Sequence, residues 1–172
     1  QYQAAGLAAV WATANTREAI FDAMERREVY ATTGTRMTVR VFAGWDFRAA
    51  DLRGDWVSVG YDRGVPMGGT MKPVPSLIIS ALKDPTGANL DRVQVIKGWV
   101  DANGQAHEKV FDAAWSAPGQ RRIVKGRLTP VGDTVDLATA TYRNTIGTPE
   151  IHCVWRDPEF RPGQRAFYYV RV

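Results

Sequence analysis

The chain has one cysteine, Cys153, and two histidines, His107 and His152, in 172 residues. A single thiol excludes an internal disulfide and a multi-cysteine zinc site. The histidines lack ligand spacing to each other. His152 and Cys153 are adjacent, but neighbours in a strand point to opposite faces, so they would not share a metal. Both histidines read as surface or hydrogen-bonded core residues. No stretch approaches the roughly 18 apolar residues of a membrane span, and no charged-then-apolar leader opens the chain. Also absent are a G-x-S-x-G elbow, a P-loop, a dinucleotide glycine fingerprint and a zinc-protease helix motif. DPTGANLD and DANG lack the alternating oxygen ligands and closing glutamate of an EF-hand. Turn formation explains Asp84, Asn89, Asp91, Asp101 and Asn103. Composition and spacing therefore assign no catalytic residue, no metal ligand and no cofactor within this chain.

What is present is ordinary for a soluble globular protein: 45% apolar residues, 23% charged and a net charge of +4. The densest positive run is RRIVKGR, with Arg121, Arg122, Lys125 and Arg127. Nucleic-acid binding would require stacking aromatics between these charges, or a helix to carry them into a groove. This run lies between Gly119 and Pro130, so it reads as a solvated loop, with an anion-binding site as the alternative. No nucleic-acid partner is expected. The six tryptophans suit core packing. The alternative is exposed rings stacking on sugars, and Trp45 and Trp56 are the candidates for that role or for an interface.

One helix stands out. Asn15 and Glu18 have capping-box spacing, and Ala19, Ile20, Ala23 and Met24 recur at one-turn intervals among charged residues, predicting a helix near 16–27 that packs through Ile20 and Met24. Beyond Gly34 the period changes to two. Strands are predicted near 37–43, 56–60, 76–82, 92–100, 105–113, 135–142, 150–155 and 166–172. SLIISAL is apolar on both faces and reads as a central strand covered on both sides. Asn103-Gly104 predicts a tight hairpin between VQVIKGWV and QAHEKVFDAAW. Together these predict a mainly β protein: a two-layer β-sandwich with one N-terminal helix. The connections near 44–55 and 114–134 are longer than a simple sandwich needs, which points to function or to contacts with another domain.

NTREAIFDAMERREVYATTGTRMTVRVF, GVPMGG, SALKDPTGANLDRVQVIKGW, HEKVFDAAWS, VGDTVD and WRDPEFRPGQRAFYYVRV together resemble the C-terminal part of a bacterial family, the domain-of-unknown-function family numbered 3604. That family is related to PHP (polymerase and histidinol phosphatase) metallohydrolases, and the resemblance runs essentially end to end. Thr35 departs from it where proline is expected, and RRIVKGRL looks like a variable insertion. The resemblance implies that residues 1–35 are the last helical element of a PHP-like barrel and that 36–172 form a β-sandwich accessory domain. It implies metals held by His and Asp side chains in motifs before this chain begins. Divalent metals would therefore belong to the intact parent protein, and no ligand carries over to His107 or His152.

On this reading the chain is an accessory or structural β-domain of a metal-dependent hydrolase, a phosphoesterase when intact. The alternative is a carbohydrate- or protein-binding module. Its partner would be the preceding barrel of the same polypeptide. Without it, Leu7, Val10, Trp11 and Phe21 are expected to form an exposed apolar patch prone to self-association, and AFYYVRV reads as an incomplete terminal strand with a second sticky edge. A periplasmic or secreted location is expected over a cytoplasmic one.

Overall fold

The computed structural model describes residues 5–71 and 76–172. The first segment is a two-stranded antiparallel ribbon, β1 (Leu7–Val10) and β2 (Val29–Thr32), with helix α1 (Arg17–Glu25) between its strands. The cap falls one residue later than the Asn15–Glu18 spacing predicts: the Thr16 hydroxyl accepts from the Ala19 N–H at 3.2 Å. At the other end Arg27 takes a left-handed φ of 61°. Its N–H donates to Met24 O and that of Glu28 to Ala23 O, the paired bonds of a Schellman stop. Ile20 is half-buried and Ala23 fully buried, but Met24 is 50% exposed. One helical step rotates Met24 by about 100° from Ala23, past the edge of so narrow an apolar face. The expected packing through Met24 is therefore corrected to packing through Ile20 and Ala23.

The body is mainly β and its sheets are antiparallel. Its elements are β3 (Thr38–Gly44), a 3-10 turn at Ala49–Leu52, α2 (Trp56–Arg63), β4 (Gly64–Pro66), β5 (Ser76–Leu82), β6 (Arg92–Val100) and β7 (Ala106–Trp115). Two small hairpins follow, β8 (Ile123–Val124) with β9 (Arg127–Leu128) and β10 (Val135–Asp136) with β11 (Thr141–Tyr142). The last strands are β12 (Glu150–Arg156) and β13 (Ala166–Arg171). One sheet has the order β12-β5-β3-β4 and another β13-β6-β7.

These two sheets share a core. Leu77, Ile79 and Ala81 of β5 and Ile151 and Trp155 of β12 cluster with Val93 and Val95 of β6. The opposite face of β5 is also covered: Ile78 packs with Phe42 and Phe47 beneath Leu52, Trp56, Val57 and Val59. SLIISAL is thus a central strand buried on both sides, as its composition predicts. The cover, however, includes a helix where 56–60 reads as a strand. The alternation in WVSVG is outweighed by a local cap, in which the Asp55 carboxylate accepts from the Ser58 N–H at 3.1 Å and from its hydroxyl at 2.6 Å. The long 44–55 connection delivers this cover.

The β6–β7 turn also differs from expectation. Only Gly104 takes positive φ, at 79°, and five residues separate Val100 from its partner Ala106. The Asp101 carboxylate holds this wider loop by accepting from the N–H groups of Asn103 and Gln105, both at 2.9 Å.

Candidate functional site

The basic run divides into one buried arginine and an exposed hairpin. Arg121 is only 6% exposed. Its guanidinium donates to Thr129 O at 3.0 Å, Asp91 O at 3.2 Å and Ser116 Oγ at 3.1 Å. Its Nη2 lies 2.7 Å from Asp91 Oδ1, an ion pair outside hydrogen-bond angles. Arg121 therefore fastens the connection after β7 to the start of β6. Arg122, Lys125 and Arg127 are exposed on the β8–β9 hairpin, whose Lys125-Gly126 turn has φ of 49° and 76°. They do not converge with Arg121 on a common site.

The two candidate tryptophans also part. Trp45 is 54% exposed on a groove of about 620 Å³ shared with Asp46, Asp62 and Arg63. Trp56 is half-buried and meets Phe42 edge-on, with ring centroids 6.1 Å apart, and His152 at 5.8 Å. Cys153 points the other way, into the shared core, and burial pushes its thiol up to about 11. His152 Nε2 lies 3.0 Å from Ser80 Oγ across the β5–β12 pair. Glu150 approaches that same nitrogen at 3.9 Å. It does not orient the ring from the far nitrogen as a hydrolytic triad requires. Among the described residues no group of three His, Cys, Asp or Glu side chains is placed to hold a metal, and no helix is long and apolar enough to cross a membrane.

Two polar clusters are built into the molecule. The first joins the N-terminal segment to the body. Glu28 is 3% exposed and accepts from Arg26 Nε at 2.8 Å and from the Tyr61 hydroxyl. Arg40 donates to that Tyr61 oxygen at 3.0 Å, and its guanidinium lies 4.4 Å over Trp11, whose indole N–H donates to Val39 O at 3.0 Å. Burial and the Glu28 bond both raise the Tyr61 pKa. Of the expected patch, Trp11 and Val10 are half-buried, while Leu7 and Phe21 are 42% and 56% exposed.

The second cluster closes one end of the shared core. Lys97 Nζ sits 2.6 Å from Asp157 Oδ2, and Tyr168 donates to the same oxygen at 2.7 Å. The Glu159 N–H reaches Asp157 Oδ1 at 2.8 Å, and Lys97 also donates to Glu159 O at 2.9 Å. Burial pushes the Asp157 carboxyl up, but Lys97, Tyr168 and the Glu159 N–H together hold it below its ordinary value. Burial, and then its hydrogen bond to Asp157, raise the Tyr168 pKa.

The feature missed by sequence reasoning is on the outer face of the β13-β6-β7 sheet. Phe167 and Tyr169 are 61% and 46% exposed, with ring planes 14° apart and centroids at 6.3 Å. A period-two count along AFYYVR would have placed both rings on one face.

A family model of proteins of unknown function, DUF3604, matches residues 1–172, and the chain belongs to that family. No curated protein and no solved structure matches it.

Proposed function

We propose that this chain is an accessory β-domain of a PHP-like, metal-dependent hydrolase, a phosphoesterase in its intact form. The two sheets are its sandwich layers, and the segment up to residue 35 is the end of the preceding barrel. The observation that carries the reading is the two-sidedness of that segment. Its inner side is keyed to the body through buried Glu28 on Tyr61 and through the Trp11 indole on Val39. Its outer side presents Leu7, Phe21, Met24 and Val29, each at least 39% exposed. A piece keyed on one side and apolar on the other suits a joint between two units, since apolar surface of this kind is normally covered. The catalytic metals and the nucleophilic water they activate belong to the preceding unit. The body fixes that unit's last helix.

The test compares the 172-residue chain with the same chain preceded by its upstream polypeptide. The longer protein is expected to copurify with a divalent metal and to hydrolyse bis(p-nitrophenyl) phosphate, and the shorter chain to do neither. Light scattering should show the shorter chain self-associating, with Phe21→Ser together with Met24→Ser restoring a monomer. A metal-free longer protein without esterase activity would overturn the hydrolase reading. A strictly monomeric short chain would overturn the joint.

A further inference from the structure

The outer face of the β13-β6-β7 sheet is laid out in rows. Phe167, Gly98 and Glu108 stand opposite one another across the three strands, as do Tyr169, Ile96 and Val110, and then Arg171, Gln94 and Asp112. The last row is tied together: Arg171 donates to Gln94 Oε1 at 2.7 and 3.0 Å, and Gln94 Nε2 donates to Asp112 at 2.8 Å. The middle row is apolar, with Tyr169 and Val110 46% and 42% exposed on either side of a buried Ile96. In the Phe167 row the Phe167 ring leans over Gly98 and covers it, so that a Cβ on Gly98 would fall 2.3 Å from Phe167 Cζ. Phe167 is also a wall of a groove of about 530 Å³, which Val100, Glu108 and Arg165 help to line.

We infer that this face binds a neutral oligosaccharide chain, stacked on Phe167 and Tyr169 and hydrogen-bonded in the groove by Glu108 and Arg165. The inference goes beyond the hydrolase reading and does not depend on it. Three observations select the ligand. Two nearly parallel, exposed rings on one sheet face offer the apolar planes that the C–H faces of pyranose rings cover. The groove beside them carries one carboxylate, Glu108, and one guanidinium, Arg165, and neither is engaged in an ion pair or side-chain hydrogen bond among the described residues. Opposite charges in one groove favour neither a cation nor an anion. An uncommitted acceptor beside an uncommitted donor suits hydroxyl groups, which are both. The rigid Arg171–Gln94–Asp112 row bounds the far end, so a ligand would run along β13 from Tyr169 past Phe167 towards Arg165.

The test is calorimetric titration of the full 172-residue chain with cellohexaose, xylohexaose, mannohexaose and laminarihexaose at millimolar concentration. At least one should bind. Phe167→Ala and Tyr169→Ala should each weaken that binding about tenfold, the loss of one aromatic contact. Glu108→Gln, which keeps the shape and removes the charge, should weaken it less. Circular dichroism confirms that each variant remains folded. No binding by any of the four sugars overturns the inference, as does binding that folded Phe167→Ala leaves unchanged. A dimer dispersed by Tyr169→Ala would assign the face to a second copy of the chain and overturn it equally.

Discussion

Lys97 Nζ lies 2.6 Å from Asp157 Oδ2, and the two side chains are only 3% and 0% exposed. Each charge is tolerable there because the other is present. Asp157→Ala, which strands the ammonium, should cost about 3–5 kcal/mol. The paired replacement Lys97→Met with Asp157→Leu should cost less than either single change, as urea titration would show.

The same cluster sets a pH window. The folded Asp157 carboxyl titrates below its ordinary value, so its contribution is complete above about pH 4–5 and lost as pH falls through the folded value. Tyr168 titrates above its ordinary value. Its contribution is complete below about pH 10 and lost as pH rises beyond that. Tm should therefore plateau between these limits. In Tyr168→Phe the alkaline fall should shrink while the acid fall persists.

Gly60 faces the Phe42 ring, and a Cβ there would sit 2.4 Å from Phe42 Cγ. Alanine in helix α2 would gain about 1 kcal/mol of helix propensity. Overpacking costs about 1–3 kcal/mol, and Phe42, 1% exposed, is confined between strand and helix. The clash should win, giving Gly60→Ala a lower Tm.

Within RRIVKGR the arginines should separate sharply. Arg121→Ala leaves the buried Ser116 hydroxyl and the half-buried Thr129 carbonyl without their donor and should cost about 2–4 kcal/mol. Arg122→Gln, Lys125→Gln and Arg127→Gln should each stay within about 0.5 kcal/mol. Thermal melts of the four variants would decide it.

Cys153 should resist modification. With its thiol pushed up to about 11 by burial, little thiolate exists at pH 8. Ellman's reagent should react slowly with the native chain and at once in denaturant.

Long periodic segments were legible in the sequence: Ser76–Leu82 and Arg92–Val100 fall on the predicted spans. The misreadings have local causes. At 56–60 a five-residue alternation was weaker than one aspartate cap. At 101–105 a carboxylate drew the loop wider than Asn-Gly alone would. The β1–β2 ribbon was invisible because its strands pair across an intervening helix. The buried role of Arg121 was equally hidden, since a charge run gives no sign of which member turns inward. Phe167 and Tyr169 were readable in principle, because the period of two in AFYYVR sets alternate residues on one face.

The placement of β12 and β13 has a consequence for how the chain acquires its structure. Each completes a different sheet: β12 pairs with β5, more than sixty positions earlier, and β13 with β6. Neither sheet can close during synthesis until these late strands leave the ribosome, and such distant pairing makes folding slow. The nascent body must therefore wait with the edges of β5 and β6 unpaired. The interval until these late strands emerge is when this protein is most open to aggregation.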